Sequence, residues 1–305
     1  MEPEQNNELK KPWYKYKRTK ADSVLGALGK FFRASILIIA ALIIIINQFS
    51  VYLDEVLISE EPSAVIDESV SDKKCNVIGL ELHGDLVTYI SPGSYDGDGR
   101  ATVDQTASQD LVYKINEAEK DNSIKAILME VDSYGGSPVA GEEVNTALKN
   151  AKKPTVVIIR ESGDSAAYYS AVGADIIFAS KNSDVGSIGV TMSYSDVSRQ
   201  NQRNGLIYNQ LSSGKFKDAG NPDKPLTPEE VKLFMRDVNI LHQNFVKVVS
   251  EDRKLSMEKV ASLADGSAML GEMALQNGLI DKIGGMPEVK QYLKDKIGAD
   301  PEICW

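Results

Sequence analysis

The residues best suited to chemistry gather in one stretch, Thr155-Val-Val-Ile-Ile-Arg-Glu-Ser-Gly-Asp-Ser-Ala-Ala-Tyr-Tyr169. Its five β-branched residues, Thr155 to Ile159, predict a short buried strand. A small-residue break, Ser162-Gly163-Asp164, follows. Ser165 then opens a run of small residues and tyrosines, 166–174, that reads as a closely packed helix. A serine at a strand-to-helix turn exposes its hydroxyl beside the free N–H groups of the first helical turn. Acyl transfer needs such a nucleophile with oxyanion donors alongside. A packing turn rich in small residues has the same composition, so this stretch alone leaves both readings open.

A nucleophilic serine needs a base. His83 follows the first expected strand, and His242 lies at the edge of a long helix's apolar face; both positions suit structural histidines. Lysine is the other option, because a desolvated amine drops toward neutrality and can take the serine proton. Lys215 and Lys217 sit in a Ser/Gly-rich loop just after an expected strand. Such loops ordinarily leave lysine solvated, and in an extended loop both would point to the same side, so spacing does not choose between them. Two histidines and two cysteines without metal-ligand spacing predict no structural metal.

Elements that would position these residues are readable around them. Asn76–Leu82 and Ile124–Val131 predict strands, and 110–119 and Val139–Asn150 predict helices. Between Val131 and Val139 the stretch Asp132-Ser-Tyr-Gly-Gly-Ser-Pro138 predicts a turn. Ile176–Ala179 reads as a further strand. Strand, turn, helix therefore recurs, which implies βα units, a largely parallel sheet and ligand sites at the strands' C-terminal ends. Gly135-Gly136 and Ser165 both fall at such ends. Leu206–Leu211 is expected to be a strand, Ser195–Asn204 a polar helix, and Thr227-Pro-Glu-Glu230 a capping box opening a helix to about Asp252. Shorter helices are expected at 257–264, 272–276 and 287–294.

The N-terminal part is not globular. Residues 34–53 carry no charge and are long enough to cross a bilayer as a helix. The apolar run is too long, and its exit too bulky, for a cleaved signal peptide. Eight Lys/Arg against four Asp/Glu give residues 1–33 a net charge of +4, leaving −14 on the rest of a chain at −10. The positive-inside rule then expects a cytoplasmic tail over 1–33, a span over 34–53 and an outward-facing body after a linker at 54–75. That acidic body argues against nucleic acid as a partner. Cys75 and Cys304 begin and end the body; an oxidising compartment allows a bridge that spacing alone does not establish.

Several blocks, in order, resemble the signal peptide peptidase A family, the Ser-Lys peptidases of family S49 on a ClpP/crotonase-like fold. They are Asp132-Ser-Tyr-Gly-Gly-Ser137, Ser165-Ala-Ala-Tyr-Tyr169 through Ala174-Asp175, Gly186-Ser-Ile-Gly-Val190, Ser213-Gly-Lys-Phe-Lys-Asp218, and Ala264–Asp281 with Ile283-Gly-Gly285. The resemblance implies an α/β fold of repeated ββα units over 76–298, behind one transmembrane helix. It makes Ser165 the nucleophile rather than Ser162, Lys217 the general base rather than Lys215, and Ser187 the residue that orients the lysine. Gly135, Gly136 and Ala166 would line the oxyanion and substrate site. It implies no cofactor and no metal. The partners it implies are peptide substrates such as signal-peptide remnants and other unstructured segments, the lipid bilayer, and further copies of the chain in a ring whose sites are completed by neighbouring subunits. The resulting expectation is a single-pass protein of the cell (inner) membrane with an extracytoplasmic or periplasmic catalytic domain.

Four positions depart from the family pattern: Ala166-Ala167 stand for Gly-Gly, Tyr134 for Pro and Asp132 for Asn. If the turn required positive φ at the alanines, the oxyanion site would be distorted. That motivates the alternative of a catalytically inactive scaffold. An acyl-CoA enzyme of crotonase type also fits the βα turns, but it suits an extracytoplasmic body poorly and leaves the lysine loop without a role.

Overall fold

A computed structural model describes residues 75–91 and 103–305, with 43 and 93 as isolated positions. The chain divides into the units Met1–Ser71 and Asp72–Trp305, and all described residues except 43 belong to the second. The expected tail, span and linker lie outside the described residues, apart from 43 and 75. Among the described residues no helix is long and apolar enough to cross a membrane.

Three strand-to-helix passages carry the site. β1 (Val77–Val87) leads through β2 (Gln105–Ala107) to α1 (Ser108–Lys120). β3 (Ala126–Gly136) leads to α2 (Pro138–Asn150), and β4 (Thr155–Asp164) to α3 (Ala166–Ala171). β5 (Ile176–Ala179), β6 (Asp184–Gly186) and α4 (Ser198–Arg203) follow. The C-terminal part comprises α5 (Pro228–Arg253), α6 (Met257–Ala261), β7 (Ala268–Leu270), α7 (Gly271–Asn277), β8 (Lys282–Ile283), α8 (Met286–Ile297) and β9 (Ile303–Cys304).

The architecture is α/β, with strand order β2-β1-β3-β4-β5-β8 and every pair on that path parallel. β6 runs parallel to the far end of β4 and antiparallel to β7, while β9 lies parallel to the start of β1. Both faces of the central strands are covered. Val157 and Ile159 of β4 join a core formed with α1, α2, α3 and the C-terminal half of α5. Val156 and Ile158 point the other way, into a second cluster with Val289 and Leu293 of α8. A strand buried on both faces reads as a continuous apolar run, which is why Thr155–Ile159 stands out.

Caps set the helix starts. The Ser137 hydroxyl accepts from the Ala140 N–H at the start of α2, with Pro138 in the first turn where its missing N–H costs little. Thr227 and Glu230 form the expected capping box of α5.

Two expectations are corrected. The Gly135-Gly136 turn is strand: β3 continues through it, with Asp85 opposite Gly135 and Leu86 opposite Gly136. β1 approaches so closely there that a Cβ at Gly136 would collide with the Leu86 carbonyl. Leu206–Leu211 is not a strand. It has no regular secondary structure, because no strand among the described residues pairs with it, and Ile207 and Leu211 stand 84% and 97% exposed. β7, β8 and β9 have only two or three residues, too short for a period of two to register.

Cys75 and Cys304 are joined in a disulfide, their Cα atoms 5.8 Å apart, fastening β9 to the entry of β1. The bridge spans 229 residues, so it removes much freedom from the unfolded chain; Cys304→Ser is expected to cost about 2–4 kcal/mol. Thermal melts of the oxidised proteins check this: the variant should melt lower, and dithiothreitol should bring the wild type down to the variant's midpoint.

Candidate active site

The junction of β4 and α3 is a sharp elbow with Ser165 at its apex. Ser165 adopts φ 51°, ψ −123°, a conformation that costs an ordinary residue about 1–3 kcal/mol and persists only when its surroundings impose it. Two backbone hydrogen bonds hold it: the Ser165 N–H donates to the Gly186 carbonyl of β6 at 2.8 Å, and the Tyr169 N–H donates to the Ser165 carbonyl at 2.8 Å. The strain lifts the Ser165 side chain out of the strand, so it is half-buried, whereas Ser162 on β4 is 1% exposed with its N–H donated to Asp132 Oδ1. Burial therefore removes Ser162 as an accessible nucleophile.

β3 lies against this elbow. A Cβ at Gly135, where φ is 110°, would sit 2.7 Å from Ser165 Cβ and 2.9 Å from the Ala166 nitrogen. Only glycine lets the strand approach this closely. Ala166 and Ala167 are buried in α3 and neither has positive φ. The positive φ falls on Ser165, so the Ala-Ala departure leaves the backbone N–H of Ala166 at the first turn of α3, where no intrahelical acceptor exists. Beside Ser165 opens a cavity of about 130 Å³ between Gly136 and Ala166 on one side and Tyr169, Val190, Leu241 and Phe245 on the other. Its wall is stiffened by the Tyr169 and Phe245 rings, whose centroids are 5.1 Å apart. Leu241 and Phe245 belong to the apolar stripe of α5, readable from the sequence as a core face but not as a site wall.

The structure thus brings Ser165, Gly135, Gly136 and Ala166 together. Of the other two expected residues, Ser187 adjoins the elbow, because it follows Gly186, whose carbonyl accepts the Ser165 N–H, while no hydrogen bond ties Lys217 to the elbow among the described residues. The Ser187 hydroxyl donates to the Gly266 carbonyl at 3.0 Å instead of meeting a lysine. Lys217 is exposed on its loop; its N–H closes a turn onto the Gly214 carbonyl, and its ammonium has no hydrogen-bond partner among the described residues. Lys215 lies over the Phe216 ring at 5.3 Å. Both histidines lie elsewhere: His83 Nε2 is 3.3 Å from Glu130 without a hydrogen bond, and the His242 ring bonds the Ala264 carbonyl at 3.0 Å.

One group was not singled out in the sequence. Asp164, next to Ser165, is 6% exposed, and its Oδ1 is buried without a partner. Burial, reinforced by the Asp184 charge on β6, pushes its pKa up to about 6. A polar residue in a Ser-Gly-Asp-Ser break reads as a surface turn; continuation of β4 to Asp164 is what buries it.

Residues 147–300, half of the chain, match peptidase family S49. The chain belongs to this family. The S49 match takes in Ser165, Ser187 and Lys217. A putative protease of Methanocaldococcus jannaschii is 33% identical over 210 residues, covering 68% of each chain. A putative signal peptide peptidase SppA of Enterococcus faecium is 28% identical over 239 residues, 77% of this chain and 67% of that one. Among solved structures, a ClpP1 mutant from Listeria monocytogenes is similar with TM-score 0.45 and 13% identity, over 69% of this chain and 92% of that chain.

Two outcomes follow from this geometry. Gly135→Ala would displace the elbow by the width of a methyl group, and a misplacement of about 1 Å costs roughly a hundredfold in rate. Labelling of Ser165 by a fluorophosphonate should fall by that order in a protein that still folds. Burial holds the Asp164 carboxyl above its ordinary range, up to about 6, so its contribution to stability is full at lower pH and is lost as the pH rises toward that value. Asp164→Asn should therefore match the wild type near pH 4 and melt higher above pH 6, as a pH series of thermal melts would show.

Proposed function

We propose that this S49 protein is a membrane-anchored serine endopeptidase working on the extracytoplasmic side, with Ser165 as nucleophile and Lys217 as general base. The observation that carries the proposal is the strained Ser165 elbow, held against Gly135 and opening onto an apolar cavity. In this reading Ser165 Oγ attacks the scissile carbonyl while its proton passes to Lys217 Nζ. The oxyanion meets the backbone N–H groups of Gly136 and Ala166. The C–N bond breaks as Nζ returns the proton to the leaving amine, and water then hydrolyses the acyl-enzyme by the same route. An apolar cavity with room for one side chain favours unstructured apolar peptides, such as signal-peptide remnants, over folded proteins.

Within one chain Lys217 does not bond Ser165, so the dyad is proposed to form between copies, each lending its lysine loop to a neighbour. Ile207 and Leu211 support this, because they put apolar side chains into solvent on the strand-like segment leading to that loop. The same separation favours the second reading, an inactive scaffold, if no neighbour supplies the base.

Fluorophosphonate labelling of the full chain in detergent separates the two readings. Wild type should label, while Ser165→Ala and Lys217→Ala should not. Mixing the two variants should restore about a quarter of the sites, the statistical share of interfaces pairing an intact serine with an intact lysine. An assembled wild type that never labels would establish the scaffold instead.

A further inference from the structure

A lysine that must lose its proton to act as a base is disabled by a carboxylate beside it, since an opposite charge stabilises the ammonium. Lys217 is followed directly by Asp218. No ion pair joins them, and the surrounding hydrogen bonds supply the reason. Tyr208 Oη donates to Asp218 Oδ2 at 2.6 Å, and Asn221 Nδ2 donates to Asp218 Oδ1 at 3.1 Å. Asn221 Nδ2 also reaches Tyr208 Oη at 3.1 Å, closing a three-residue ring. Both oxygens of the carboxylate are occupied.

The remaining charges of the segment are also committed. Between residues 206 and 226 the only acids are Asp218 and Asp223. Asp223 Oδ1 accepts from Asn201 Nδ2 of α4 at 2.8 Å. Lys224 pairs with Glu230 of α5 at 2.6 Å, and Lys215 rests on the Phe216 ring. Among the described residues Lys217 is the one cation of this segment left uncommitted. The Tyr208 phenol registers the same arrangement: its hydrogen bond to Asp218, with lesser contributions from burial and Asp223, pushes its pKa up to about 12, so it stays a donor across the working range.

We propose that Tyr208 and Asn221 are positioning residues that hold the Asp218 carboxylate away from Lys217, keeping that amine available as the base. The inference rests on Lys217 being the base. It explains why a phenol stands at Tyr208, in an exposed segment with Leu206, Ile207 and Leu211, and why Asn221 follows the lysine at a distance that folds back onto Asp218. Proton transfer itself is unchanged: the serine proton goes to Lys217 Nζ, and Tyr208 and Asn221 take no part in bond making.

The test is the rate of fluorophosphonate labelling of Ser165 in the full-length chain, followed from about pH 6 to about pH 10. Tyr208→Phe frees Asp218 Oδ2. The rising limb should move up by about half to one pH unit, slowing labelling at neutral pH three- to tenfold, with the alkaline plateau within about twofold of wild type. Asn221→Ala should shift the limb the same way. Adding Asp218→Asn to Tyr208→Phe removes the charge and should return the limb to its wild-type position. A uniform loss of rate at every pH, unrescued by Asp218→Asn, would mean a merely structural role and overturn the inference, as would unshifted profiles in both single variants. Full labelling of Lys217→Ala would instead remove the base on which the inference depends.

Discussion

The positive φ of Ser165 is the constraint on which the rest depends. No L-residue adopts φ 51°, ψ −123° without being held there, and each neighbour of the elbow has a part in holding it. β6 accepts the serine N–H, Gly135 gives the elbow room, and the buried start of α3 fixes the direction in which the chain leaves. The parallel sheet follows the same logic. A strand buried on both faces, with its end pinned between β3 and β6, is rigid enough to hold Ser165 in a strained conformation.

That constraint also decides the departures from the family pattern. Alanine in place of glycine after Ser165 would matter if the backbone turned left-handed there. It turns left-handed one residue earlier, at Ser165. The alanines then behave as ordinary helix residues, and their methyl groups pack into the core while their N–H groups keep their direction.

Much of this arrangement was legible in the sequence, for reasons tied to particular residues. Thr155–Ile159 announced a doubly buried strand, Thr227-Pro-Glu-Glu230 announced α5, and the break before Ser165 announced a strand-to-helix turn. Other parts were not. The period of two and the period of 3.6 carry no trace of φ at a single residue, so the strain at Ser165 was hidden. Leu206–Leu211 has a strand's composition, but composition does not supply a pairing partner, and its apolar side chains remain in solvent. Asp164 looked like a turn residue because nothing in its local sequence shows that β4 continues through it and buries it. The choice of Lys217 over Lys215 came from family resemblance alone; the hydrogen-bond ring around Asp218, which makes the two lysines physically different, exists only once the loop is folded.

The Cys75–Cys304 bridge makes the whole unit a covalent circle. A nick at any peptide bond between the two cysteines opens the backbone without freeing a fragment. For a chain of a peptidase family, a cut within the bridged stretch would leave its two parts covalently joined. Severed chains would separate only on denaturation in the presence of a reductant, so their presence in the working protein would pass unseen under native conditions.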